Sequence, residues 1–156
     1  MWHYFTTLEH ECTHAIVGLL FGKIPVSMSV SAWEGGEVKL RGGSNVWISL
    51  APYFLPTLSF LVLMVGLILG FTETSYFNTV LGFTIAFHLV TNWQETSFRQ
   101  TDLQKAGYLT SVLVLPVANL LTYGAILSFV FGGTKTFGIF WLVGIKNSWE
   151  TLLKLI

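Results

Sequence analysis

Long apolar runs alternate with short polar interludes along this chain, and the period within each run limits what it can form. Residues 2–22 open with aromatic and polar positions and end in a continuously apolar stretch from Ala15 to Gly22. Trp2, Tyr4 and Phe5 are placed like interfacial aromatics, so a first membrane helix is expected here. From Lys23 to Trp47 the period falls to two. Val26, Met28 and Val30 alternate with Ser27, Ser29 and Ser31, and Val38 and Leu40 resume the alternation after Glu34-Gly35-Gly36-Glu37. That is the pattern of half-buried strands joined at a Gly-Gly turn, which predicts a β-hairpin over 24–41. The runs 46–70, 77–93 and 109–131 then read as membrane helices. Ala51-Pro52 and Pro56 predict a kink or a helix start inside the first of these. Gly132-Gly133 closes the third, and 137–145 is too short to span alone. In the tail, Lys146, Glu150 and Lys154 recur opposite Trp149, Leu152, Leu153 and Ile156, so 137–156 reads as a short span or an interfacial helix.

The expected architecture is therefore an all-α polytopic membrane protein of about four to five membrane helices, with a small β-hairpin after the first. It is read as a single membrane-embedded domain over 1–156. Composition agrees. Charged residues make up 10% of the chain and mean hydropathy is +0.66, against about 25% charged in a typical soluble domain. Net charge is zero and no basic patch stands out, so no nucleic-acid partner is expected. Cys12 is the single cysteine, which excludes an intrachain disulfide and a cysteine-rich metal site. On a five-span count, Lys23, Lys39, Arg41, Arg99, Lys105, Lys146 and Lys154 fall on one side and Lys135 on the other. The positive-inside rule then turns the hairpin and the segment around residue 102 towards the cytoplasm.

Against this apolar background the ionisable residues are conspicuous, above all His10-Glu11-Cys12-Thr13-His14. On a helix, residues i and i+4 lie about 40° apart on one face, so His10 and His14 can aim two imidazole nitrogens at one ion. Glu11, rotated by about 100°, can reach a water on that ion without ligating it. Two buried histidines can also serve packing alone, but ionisable groups within an apolar helix are functional candidates by default. A catalytic zinc site usually has three protein ligands, so a third must come from elsewhere. His3, at the exposed start, is read as an interfacial histidine. Asp102 is the only aspartate, and Glu95 and His88 are competing donors. Thr101-Asp102 could instead simply cap the helix that follows. His88 with Asn92 one turn on suggests a supporting or substrate-orienting pair, with a share in oxyanion stabilisation as one role. For Asp102 to reach the histidines, 94–106 must be irregular and partly re-entrant, which is tolerated where backbone lines a watery cavity.

Taken together, His10-Glu11-Cys12-Thr13-His14-Ala15, the Gly35-Gly36 hairpin, Leu50-Ala51-Pro52 and Thr101-Asp102-Leu103-Gln104-Lys105-Ala106-Gly107 resemble the site-2 protease family of intramembrane zinc metalloproteases. The resemblance covers roughly residues 5–110 and is to its small, divergent bacterial members. It implies Zn²⁺ held by His10, His14 and Asp102, with Glu11 as general base. It also implies a membrane-spanning protein substrate in the prokaryotic cytoplasmic membrane, held as an added strand along the hairpin at Val38 and Leu40. Thr13 departs from the family's usual glycine, and the family's asparagine-proline and aspartate-glycine pattern is missing around Asp102. Two rival readings remain open. One is a bis-histidine haem protein pairing His10 or His14 with His88, which gives Glu11 and Asp102 no role. The other is a non-catalytic zinc-binding relative that holds membrane clients, against which the intact Glu11 weighs.

Overall fold

Helix α1 (Trp2–Leu20) buries Thr6, His10, Thr13, His14 and Val17, a stripe at steps of three and four that is polar where most helices are greasy. The computed structural model describes residues 2–31, 33, 35–97 and 100–155. The helix ends in a paired cap: Gly22 N–H donates to Leu19 C=O at 2.9 Å and Lys23 N–H to Gly18 C=O at 2.8 Å. Gly22, at φ 69°, supplies the left-handed residue this cap needs. The Lys23 ammonium then donates to the Gly42 carbonyl at 2.8 Å, clasping the base of the hairpin to the end of the helix.

Strands β1 (Ile24–Ser31) and β2 (Gly35–Arg41) form the expected antiparallel hairpin, with Met28 opposite Val38, Val30 opposite Gly36 and a bulge between Pro25 and Ser27. The turn is not at Gly35-Gly36 but between Ser31 and Gly35; Glu34 falls outside the described residues. The two glycines serve different ends. Gly35, at φ 81°, opens the second strand in a left-handed conformation. Gly36 allows close approach: a Cβ there would lie 2.6 Å from Cγ of Glu11 and 2.7 Å from Cγ2 of Thr7. Four residues on, Leu40 occupies space that a Cβ on Gly18 would enter at 2.9 Å. The hairpin face bearing Gly36 and Leu40 therefore lies directly on α1.

Residues 46–70, expected as a span with a kink or a helix start at its prolines, are broken there. Helix α2 (Val46–Leu50) starts at Asn45, whose side chain accepts from Ile48 N–H at 2.9 Å, and passes into a 3₁₀ turn, Ala51–Tyr53. Helix α3 (Thr57–Leu69) then leaves at an 82° bend. Pro52 in the turn and Pro56 before α3 bring no N–H to continue an α-helical ladder, so the chain corners there. Helix α4 (Ser75–Glu95) packs back on α3 where Gly66 admits the Phe77 ring and Ser59 meets Thr84 at 3.0 Å. The segment expected to be irregular over 94–106 is so only in part: its end is a short helix, α5 (Thr101–Ala106). Helix α6 (Tyr108–Leu155) follows.

The corner formed by α2 and the 3₁₀ turn is the wedge of this region. Leu50 and Tyr53 pack with Leu103 and Ala106 of α5, while Ile48 and Ala51 pack with Val17 of α1. One small element thus grips both the helix with the two histidines and the helix with Asp102. The chain divides into two compact units, 1–115 and 116–156. Within the second, helical backbone is broken at Gly132 and Gly133; Gly133, at φ 64° and ψ −155°, takes a conformation only glycine adopts readily. Phe140 there lies where a Cβ on Gly124 would come within 2.8 Å, so helix on the two sides of the break is in contact.

The protein is mostly helical, with one small sheet. Among the described residues one helix, Tyr108–Lys154, is long and apolar enough to cross a membrane. Val46–Tyr53 and Thr57–Leu69 meet that requirement only as a bent pair.

Candidate metal centre

The spacing of His10 and His14 does what a helix dictates: the rings lie side by side, centroids 4.9 Å apart. What fixes their orientation comes from other elements. Nδ1 of His14 lies 2.8 Å from the Ile48 carbonyl of α2, and Nδ1 of His10 lies 3.1 Å from a carboxylate oxygen of Glu95 at the end of α4. Both partners are acceptors, so both Nδ1 atoms carry a hydrogen, and a ring in its neutral form then presents its lone pair at Nε2. The Tyr53 ring stands edge-on to His10 at 5.4 Å.

The two Nε2 atoms converge on one oxygen. Oδ2 of Asp102 lies 3.4 Å from Nε2 of His10 and 3.1 Å from Nε2 of His14. Two ring nitrogens this close to a carboxylate require a positive charge at the meeting point: protons on the rings, donated to the carboxylate, or a metal ion shared by all three. Ligands about 2.0–2.1 Å from a tetrahedral zinc are about 3.3 Å apart, so the separations fit that coordination. His10, His14 and Asp102 are the group among the described residues with donor atoms placed to share an ion. Burial disfavours the charge on Asp102, but the imidazoles of His10 and His14 outweigh it and hold the carboxyl well below the usual carboxylate range. Its other oxygen faces the exposed Lys105 ammonium at 3.9 Å.

Two clefts meet at this group. The larger, about 890 Å³, runs along β2 from Gly36 to Leu40 and is closed by His14, Ser49, Asp102 and Lys105. The smaller, about 420 Å³, lies towards the hairpin turn and includes His3, Ser31, His10 and Glu95. Glu11, Gly36, Thr101 and Asp102 line both. Glu11 therefore sits at the junction, pressed close to the strand by the missing side chain of Gly36.

The remaining candidate residues fall in different places. Val38 and Leu40 line the larger cleft. His88 and Asn92 line neither. His88 is buried, with Nδ1 3.8 Å from Glu9 Oε1 on another side of α1. The Asn92 amide donates to the Tyr53 carbonyl and accepts from the Thr96 hydroxyl at 2.9 Å, tying α4 to the 3₁₀ turn. Glu95, weighed in the sequence as a third ligand, faces the outer nitrogen of His10 rather than the convergence point. Thr13, where the family usually has glycine, is fully buried, donating to the Glu9 carbonyl at 2.9 Å and meeting the Thr57 hydroxyl at 2.7 Å. The anchoring role of the Ile48 carbonyl leaves no trace in sequence, because every residue has one. Gly36 was visible as a glycine but read as a turn residue.

Two imidazoles and a carboxylate that could hold an ion, with a glutamate beside them, are residue types that zinc hydrolases use together. Residues 1–98 match the model of the Peptidase M50B-like family, and the chain belongs to that family, as a member of the site-2 proteases. No curated protein and no solved structure matches it. The family is membrane-embedded and its members are zinc metalloproteases, so the function is of the metallopeptidase type. The matched region ends before Asp102, so the case for that residue is geometric.

Proposed function

We propose that this chain is an intramembrane zinc endopeptidase that hydrolyses peptide bonds of membrane-spanning protein substrates. The observation that carries this reading is the convergence of two Nε2 lone pairs and Asp102 Oδ2 at 3.1–3.4 Å, with both Nδ1 atoms turned outward. His10, His14 and Asp102 would hold the ion. When bound, Zn²⁺ supplies a Lewis acid that acidifies water and draws charge from a carbonyl oxygen. Glu11, at the junction of the clefts, takes the proton of the attacking water and returns it to the leaving amide nitrogen as the C–N bond breaks. The substrate must be extended to be cut. A segment laid along the open edge of β2 beside Val38 and Leu40 regains the backbone hydrogen bonds it loses on unwinding. Gly36 keeps that edge against Glu11. In this reading His88 and Asn92 support α4 rather than touch substrate, and the basic residues turn the hairpin and the Asp102 segment to the cytoplasmic side of a prokaryotic membrane.

The bis-histidine haem reading draws no support from this arrangement, since His10 and His14 direct Nε2 at Asp102 whereas His88 lies against Glu9. The test is zinc content of the detergent-purified protein, followed by cleavage of membrane-spanning model substrates. Stoichiometric zinc in the wild type, its loss in Asp102→Ala and cleavage abolished in Glu11→Gln are expected. Zinc unaffected by Asp102→Ala would sink the ligand assignment. Zinc with no cleavage of any membrane client would favour the client-binding relative.

A further inference from the structure

We propose that Glu95 is a positioning residue that fixes the tautomer and orientation of His10, leaving Nε2 free to ligate. The inference deepens the proposed function, on which its consequence for metal affinity rests.

The two imidazoles are oriented by unlike means. His14 is held by a backbone carbonyl, that of Ile48, which no side-chain substitution removes. His10 is held by a side chain, the Glu95 carboxylate, 3.1 Å from Nδ1. That carboxylate is itself well placed. It sits in the last turn of α4, just after two residues that tie this turn to its surroundings. Asn92 donates to the carbonyl of Tyr53, whose ring stands against His10, and Gln94 accepts from the Trp2 indole N–H at 3.3 Å. Trp2 also packs edge-on to Phe87 of the same helix, centroids 5.3 Å apart. The end of α4 is thereby held against the start of α1, about two turns before His10.

Position on the ring separates orienting from ligating. An imidazole nitrogen coordinates along its lone pair in the ring plane, and Nδ1 and Nε2 point away from one another. A carboxylate engaged with Nδ1 of His10 is therefore not aimed at an ion on Nε2, where Asp102 already lies. A carboxylate accepting from the outer N–H makes the ligating nitrogen more basic, and loss of such a partner typically weakens metal binding about 10–100-fold. Glu95 also lines the smaller cleft with His10, Glu11 and Asp102.

Two measurements on the full-length protein in detergent test this. First, nitrogen NMR of ¹⁵N-histidine-labelled, metal-free protein, at a pH alkaline enough for His10 to be neutral and with His10 assigned by its loss in His10→Ala, reads the tautomer directly. The wild type is expected to show His10 protonated at Nδ1, and Glu95→Ala to show a mixture. Glu95→Gln, whose amide oxygen still accepts, retains the Nδ1–H form. Second, chelator competition reads zinc affinity. The expected loss is about 10–100-fold in Glu95→Ala and smaller in Glu95→Gln and Glu95→Asp. Cobalt substituted into Glu95→Ala keeps the visible spectrum of the wild-type donor set. An unchanged His10 tautomer in Glu95→Ala overturns the proposal, as does zinc affinity equal to wild type. Loss of the cobalt spectrum in Glu95→Ala, with its retention in Asp102→Ala, would make Glu95 a ligand instead. A wild type that binds no zinc while Glu95→Ala still releases the His10 tautomer would overturn the protease reading and leave the orienting contact standing.

Discussion

Two buried imidazole–carboxylate neighbourhoods lie against α1, and they are built differently. On one side, His10 and His14 have their outer nitrogens anchored by Glu95 and Ile48, and their inner nitrogens meet Asp102 at 3.1–3.4 Å beside two clefts. On another, His88 is 2% exposed, stands 3.8 Å from Glu9 and borders neither cleft. Burial and a nearby carboxylate are common to both. What separates them is the outward anchoring of the rings and the approach to open space. A buried histidine is a ligand candidate when something else has already used its other nitrogen. The first way to break this comparison is to remove one carboxylate at each place. Asp102→Ala should weaken zinc binding by well over about 100-fold, more than the loss of an outer partner brings. His88→Ala, and Glu9→Gln beside it, should leave zinc stoichiometry unchanged in protein that still folds. Equal losses at both places would erase the distinction.

A sharper division runs within the first neighbourhood, between the groups proposed to hold the ion and the group proposed to move the proton. Glu11→Gln keeps the side chain's shape at the cleft junction but removes the base. Zinc content should match the wild type while cleavage falls by about 10²–10⁴-fold. A variant that lost zinc and cleavage together would place Glu11 among the ligands. Gly36→Ala acts on the same residue from the strand side. Its methyl group would lie within 2.9 Å of Oε1 as well as 2.6 Å from Cγ of Glu11, so either the carboxylate or the hairpin must shift. Misplacement by about 1 Å can cost about 10²-fold in rate, and a loss of that order with zinc retained is expected. Cleavage at the wild-type rate in Gly36→Ala would show that the strand need not lie so close.

Much of this was legible in the residues. The spacing of His10, Glu11 and His14 specified a helical metal motif, and the alternation at 26–31 and 38–40 specified the hairpin. The choice of Asp102 over Glu95 rested on resemblance and on its being the sole aspartate; geometry supplies the physical reason, since the two carboxylates face opposite nitrogens of His10. Three features were beyond reach. The prolines of the run 46–70 predict a kink, but local pattern does not give its size, a turn of 82° between Val46–Tyr53 and α3. The corner grips α1 and α5 through packing between residues far apart in sequence, Ile48 with Val17 and Leu50 with Leu103 among them, which carries no periodic signal. Gly35-Gly36 looks like a turn because glycine at a turn and glycine at a close approach are the same letter.

The smallest expected effect concerns Thr13, the departure from the family's glycine. Its hydroxyl is wholly buried and joins α1 to the first residue of α3 through Thr57 at 2.7 Å. A hydrogen bond of this kind contributes about 0.5–1.5 kcal/mol net, and interhelical ones in membranes average about 0.6 kcal/mol. Thr13→Val should therefore lower thermal stability slightly, and the double variant with Thr57→Val should lose less than the sum of the two single losses. Either single change already removes the contact between the hydroxyls, while the Glu9 and Leu55 carbonyls remain as partners for the hydroxyl that is left. Zinc affinity and cleavage should be unchanged throughout, since the pair lies outside the converging donor atoms. Strict additivity of the two losses would mean that the contact between the hydroxyls contributes nothing. A fall in zinc affinity would mean that the tie between α1 and α3 helps to orient the histidines, and the boundary drawn around the metal group would then be too narrow.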